Sequence, residues 1–190
     1  MVEGSGGGNG NRPQLRLVCG EKPPQRQRQA HLFGEVEPLV QEALAGIRRG
    51  RAEDGRLIGF REKINTLRLL ALIRDEVGGD ALPILREAAM VADSFGDRLF
   101  AARLMVQVAE AFRDVEMDPW PIMDMAFTCA QQAPDGREKE EALVDIAYAY
   151  CVLGDFPRAE RIMEMLTSFE LRTEVKGIIE RIMSSPKAGE

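Results

Sequence analysis

From Gly34 onward the apolar positions recur every three or four residues, and Gly, Pro and Asp interrupt the pattern at intervals. These interruptions predict eight helices. The first follows Glu35, with Pro38 in its opening turn, and ends at Arg48-Arg49-Gly50, a basic last turn before a glycine. A long second helix is expected from about Asp54 to Val77, closed by Gly78-Gly79. Asp80, with Pro83 soon after, starts a third that reaches about Ser94; Asp97 caps a fourth that runs to about Val115. Asp118, followed by Pro119 and Pro121, opens a fifth that ends near Gln132. Asp135, with Glu138 three residues on, forms a capping-box-like start for the sixth, which Gly154 closes. The last two are expected over about Asp155 to Leu166 and Phe169 to Met183. Strand-like alternation is short or absent, so the class is all-α.

Residues 1–33 read differently. Five of the first ten residues are glycine, Pro13, Pro23 and Pro24 follow, and the only apolar cluster is Leu15, Leu17 and Val18. This composition does not offset the entropy of ordering, so a disordered tail over 1–33 is expected, serving as a linker or carrying a binding motif centred on Gln14-Leu15-Arg16-Leu17-Val18. The helical domain is expected over 34–184, with a disordered end at 185–190. Charge divides the same way. Residues 1–60 hold nine Lys/Arg against seven Asp/Glu, and residues 61–190 hold sixteen against twenty-four, within a net charge of -6.

A fixed period underlies the helical part. Asp80-Ala81-Leu82-Pro83-Ile84-Leu85 lies 38 residues before Asp118-Pro119-Trp120-Pro121-Ile122-Met123 without a gap, and the same offset pairs Leu70-Ala71 with Val108-Ala109 and then with Ile146-Ala147. A turn two residues shorter then brings Phe156-Pro157 to the place of Trp120-Pro121, so three helix hairpins are expected. In the third, Leu143, Ile146, Ala147, Tyr150, Gly154, Phe156, Ala159 and Met163 fall at the spacing of the tetratricopeptide repeat, and the chain resembles that family over residues 64–184. The second hairpin keeps Met105, Val108, Ala109, Phe112, Phe127 and Pro134; the first keeps Leu67, Leu70 and Ala71 but has Arg74 where an aromatic is expected. The 38-residue spacing departs from that family's roughly 34 and fits a related helical-hairpin solenoid as well. The resemblance implies a short right-handed solenoid of about three hairpins, with an N-terminal helix and a C-terminal capping helix. Ala147 and Ala159 would be the small contacts that let paired helices approach.

Little in the chain points to catalysis. No glycine loop precedes a Lys-Ser/Thr pair, and neither a Gly-x-Ser-x-Gly elbow nor a His-Glu-x-x-His pair occurs. His31 is the single histidine and falls in the expected tail. Glu138, Glu140 and Glu141 read as a solvated helix start, favoured by the dipole. Cys19, Cys129 and Cys151 suit neither a disulfide framework nor a zinc site, and Cys129 and Cys151 read as buried packing thiols. The expectation is a cytoplasmic non-enzyme without cofactor or metal. No apolar run approaches the roughly 18 residues a spanning helix needs, and the start, Met1 to Ser5, lacks a basic region followed by an apolar one.

What the chain offers is a surface. The segment Ala142 to Leu153 is apolar on almost every side, so its second face must meet either neighbouring hairpins or a groove. In the family it resembles, the first helix of each hairpin lines a concave groove. The matching positions here are Asn65, Arg68, Leu72 and Asp75, then Arg103, Val106, Glu110 and Arg113, then Glu141, Val144 and Tyr148. Arg68, Leu72, Arg103, Val106, Glu110, Val144 and Tyr148 are accordingly expected to hold a partner peptide or helix, as in an adaptor or chaperone; size and acidity are similar to those of secretion chaperones. Self-association into a homo-oligomer is compatible with such surfaces. The alternative is a nucleic-acid-associated protein using Arg12, Arg16, Lys22, Arg26, Arg28 and the Arg48-Arg49-x-Arg51 cluster, but the acidic body opposes a phosphate backbone and makes nucleic acid the weaker partner.

Overall fold

The computed structural model describes residues 25–50 and 59–184. Every regular element among them is an α-helix: α1 (Gln25–Arg49), α2 (Phe60–Glu76), α3 (Leu82–Asp93), α4 (Arg98–Asp114), α5 (Trp120–Gln132), α6 (Arg137–Val152), α7 (Phe156–Met165) and α8 (Phe169–Ser184). Consecutive helices pack on one another, and α2, α4, α6 and α8 also pack in chain order as a row. α3 thus lies against both α2 and α4, α5 against α4 and α6, and α7 against α6 and α8. The core runs along the junction of these two layers and contains no buried polar or charged residue among those described.

One turn recurs at the end of α2, α4 and α6. Gly78, Glu116 and Gly154, each 38 residues from the next, adopt positive φ of 84°, 56° and 88°. In each case the following N–H, that of Gly79, Met117 or Asp155, donates to the carbonyl five residues back, Arg74, Phe112 or Tyr150, at 2.8 Å. This closes the helix by satisfying carbonyls its own ladder leaves open. Two of the three positions are glycine, for which the left-handed region carries no Cβ penalty; Glu116 accepts that penalty.

Aspartates start four of the helices, joined by prolines where the chain reverses into α3, α5 and α7. Asp97 Oδ1 accepts from the N–H of Leu99 and Phe100 at 3.0 and 3.1 Å, and Asp155 Oδ1 from that of Arg158 at 3.1 Å. Asp80 and Asp118 sit one residue further out and accept from Leu82 and Trp120, both at 3.0 Å, ahead of the prolines. The shorter turn before α7 moves Asp155 from that outer place to the cap itself. Small side chains recur at buried positions: Ala71, Ala88, Ala109, Ala126, Ala147 and Ala159 are wholly buried, with Leu67, Met105 and Leu143 one turn before the first, third and fifth of them.

Three expectations shift. α1 begins at Gln25 rather than after Glu35, so Pro38 sits inside it and His31 lies on an exposed helix face, 3.7 Å from Glu35. The packing of Phe33, Val36, Val40, Leu44 and Ile47 explains this: a stripe at helical spacing begins before Gly34. Asp135 does not cap α6; it binds the Lys139 ammonium at 2.9 Å and Gly136 takes the cap position. Glu140 is not a free solvated carboxylate, because it accepts from the N–H of Thr167 and Ser168 at 2.8 and 3.2 Å and from the Thr167 hydroxyl. The expected tail up to residue 24, the start of the second helix at Asp54 and the end at 185–190 lie outside the described residues.

Two outcomes follow from the recurring turn and the alanine contacts. Glu116→Gly should stabilise the fold by about 1 kcal/mol in a urea titration, since the left-handed penalty of roughly 1–2 kcal/mol exceeds glycine's extra entropy in the unfolded chain. Ala109→Leu and Ala147→Leu should each cost about 1–3 kcal/mol by overpacking, seen as lowered thermal midpoints; unchanged midpoints would contradict the proposed closest approach.

Candidate functional site

The residues expected to hold a partner lie on α2, α4 and α6, the row of first helices, but they divide into three kinds. Val106 and Val144 are buried, at 9% and 7% exposure, and pack in the core rather than on an open groove. This corrects the expectation that both line the groove: the structure places them in the buried core cluster instead.

The charged members are engaged with one another. Arg68 on α2 faces Glu110 on α4 at 3.7 Å, both half-buried, and Arg103 Nε on α4 donates to Asp145 Oδ2 on α6 at 2.9 Å. Arg113 turns instead to Asp114 at 2.8 Å, and Glu141 to Arg137 at 2.9 Å. Two ion pairs therefore bridge successive helices of the row. Partly exposed pairs such as Arg103–Asp145 contribute little stability, at most about 1 kcal/mol, but they fix where the guanidinium group points.

Tyr148 and Leu72 remain as apolar features. Leu72, Glu110 and Tyr148 occupy equivalent positions 38 residues apart, so they form a line across α2, α4 and α6. Leu72 is half-buried and packs against the core; Tyr148 is half exposed, with Val152 one turn further along α6 also open to solvent. Asn65 and Asp75 are exposed on α2. The apolar look of the sixth helix is resolved mainly by packing, because α6 touches α4, α5, α7 and α8 and leaves Asp145, Tyr148 and Val152 as the exposed residues between Ala142 and Val152.

A second cluster was not anticipated. Trp120 stacks on Tyr150 with ring centres 6.1 Å apart, and the Arg158 guanidinium lies 5.3 and 5.7 Å from the two rings while binding Asp155 at 2.9 Å. A cavity of about 160 Å3 beside it is lined by Asp124, Phe127, Tyr150, Arg158, Arg161 and Ile162. Burial, then the charge of Asp124, pushes the Tyr150 phenol up to about 12. The sequence marks Tyr150 as a packing aromatic, but Arg158 becomes visible only when α7 folds back over α5 and α6.

Among the described residues no group of three or more His, Cys, Asp or Glu could hold a metal ion, and no helix is long and apolar enough to cross a membrane. Cys129 and Cys151 are free and buried; burial raises the Cys151 thiol above its ordinary value. Glu140 is held below the usual carboxylate range by its Thr167 bonds. No family model matches the chain, and neither a curated protein nor a solved structure matches it.

The phenol of Tyr150 gives a direct check. The chain has two tyrosines, so in Tyr148→Phe the remaining phenolate absorbance should rise near pH 12 rather than at the ordinary 10. Because the folded value lies above the unfolded one, this group's contribution to stability is complete below pH 10 and is lost as pH rises toward 12. A midpoint at 10 in the folded variant would place the phenol in water.

Proposed function

We propose that the chain is a non-enzymatic protein-interaction module, an adaptor or chaperone-like cytoplasmic protein of the tetratricopeptide-repeat-like kind. It would hold a partner's peptide or helix against the row formed by α2, α4 and α6. The observation that carries this reading is Tyr148. It is a large aromatic on a helix otherwise consumed by packing, half exposed, one turn from exposed Val152 and on the same face as the Arg103–Asp145 pair. Aromatic and arginine side chains of this type commonly dominate binding surfaces. Arg103 keeps donors beyond the one it gives Asp145 and so can read carbonyls or carboxylates of a bound segment.

The free, buried state of Cys129 and Cys151 supports a reducing compartment. The nucleic-acid alternative loses support where its basic cluster is concerned, since Arg48 is committed to Glu87 on α3 at 2.8 Å.

The test is a partner identified by co-purification and mass spectrometry, then titrated against the wild type and a Tyr148→Ala, Arg103→Ala variant. Loss of about 2 kcal/mol or more, roughly 30-fold in Kd, is expected with an unchanged circular-dichroism melt. Undiminished affinity with normal melting would move the binding surface away from α4 and α6.

A further inference from the structure

The row of first helices has one end that is finished and one that is not. On α6, Asp145 receives Arg103 from α4, so the stripe of Ala142, Asp145 and Ala149 is the face that meets the preceding first helix. The equivalent stripe 38 residues earlier on α4 is Leu104, Gln107 and Ala111, with Leu104 and Ala111 buried. On α2 the equivalent stripe is Thr66, Leu69 and Ile73, and no preceding helix covers it among the described residues: Leu69 is 59% and Ile73 46% exposed. α1 borders the same vacancy. It packs along α2 and reaches α3 through Arg48–Glu87, and its exposed Leu32 and Leu39 lie about 160–180° around the helix from Arg48. The place of a first helix paired with α1 is therefore open and walled by apolar side chains from two helices.

We propose that residues 14–18 of the same chain, Gln14-Leu15-Arg16-Leu17-Val18, occupy this flank, with Leu17 against Ile73 and Leu15 against Leu69. Reach permits it. Glu37 binds Arg74 at 2.8 Å and the Phe33 ring sits against Gly79, so α1 and α2 run antiparallel and Ile73 lies level with about residue 38. From Gln25 that level is about 20 Å along α1 and the level of Leu69 about 26 Å, while eight extended residues back to Leu17 span about 26 Å and ten to Leu15 about 33 Å. Spacing fits as well: Leu15 and Leu17 in extended chain are about 6.6 Å apart, against a rise of about 6 Å from Leu69 to Ile73. Charge agrees, since Glu76 borders the stripe, Glu42 stands exposed on α1, and Arg12, Arg16 and Lys22 accompany the segment.

A second copy is the poorer occupant. Two such flanks pressed together would oppose the same glutamates, and on α8's outward face the exposed Phe169 and Met183 stand at opposite ends, about 21 Å apart, with Arg172, Thr173, Glu174, Lys176 and Glu180 between them, which does not match the roughly 6 Å rise from Leu69 to Ile73. This contact stands apart from the Tyr148 face and does not rest on the proposed function.

Cross-linking in the full chain tests it. Cys129 and Cys151 are buried, so Cys19 and the thiol of a Glu76→Cys variant are the pair a short bismaleimide should join. The link is expected within one molecule, absent in a Glu164→Cys control on α7, and abolished by adding Leu15→Ser and Leu17→Ser. The same double substitution in the wild-type background should raise amide exchange over residues 66–76 by roughly tenfold, leaving α6 to α8 unchanged. A link found only at dimer mass would assign the flank to a second copy. No link, a link that survives the double substitution, or unchanged exchange over α2 would each overturn the proposal.

Discussion

The hairpins depend on the left-handed turn at Gly78, Glu116 and Gly154. Each turn ends a first helix with the same carbonyl bond at 2.8 Å, after which the second helix begins four residues on in the first two hairpins and two residues on in the third. Alanines at Ala71, Ala109 and Ala147, each 38 residues from the next, are wholly buried in the first helices, where a small side chain lets a facing helix pack closely. The one charged residue among the three turns, Glu116, shows that the requirement is geometric: the backbone takes the conformation even where the side chain disfavours it.

With hairpin geometry fixed, the row of first helices follows, and its cohesion is apolar. Val106 and Val144 belong to the buried core cluster, and the ion pairs Arg68–Glu110 and Arg103–Asp145 link successive helices of the row. Partly exposed pairs on this scale orient side chains more than they hold helices together. The departure of Arg74 from the aromatic of the other hairpins also has a cause in packing. Phe112 and Tyr150 fill their sites with rings, whereas Arg74 reaches across to Glu37 on α1 and presses its stem against the turn at Gly79, where a Cβ would lie 2.8 Å from Arg74 Cγ and 2.6 Å from the Phe33 ring. The first hairpin is thus adapted to a helix that precedes it.

All eight described helices were legible from periodicity and turn residues, because apolar stripes at 3.6-residue spacing and Asp/Gly/Pro punctuation are local signals. The start of α1 was not. Gln25 to Gln29 offers good helix formers but no apolar stripe, and Pro38 looks like a first-turn proline until Phe33 and Val36 are seen to pack. The candidate face was half legible. Tyr148 sits exposed where its offset from Ala147 puts it, yet nothing in one chain separates a position that lines a groove from one that is buried in the core, as Val106 and Val144 show. Arg158 was invisible for a related reason: its partners Trp120, Tyr150 and Asp124 come from two other helices.

The unequal ends of the row follow from the same rules. A helix at the end of a stack must present polar groups outward or be covered. α8 meets the first condition along its middle: Leu171, Val175, Ile178 and Ile179 turn inward, Arg172, Thr173, Lys176 and Glu180 outward, and of its large apolar side chains only Phe169 and Met183 at its two ends stand exposed, while Glu140 on α6 fixes its start through Thr167 and Ser168. α1 and α2 do not, for they leave Leu32, Leu39, Leu69 and Ile73 on one flank. Exposed singly, such side chains need no explanation; gathered on two adjacent helices in the place of a missing neighbour, they mark a surface shaped to be covered.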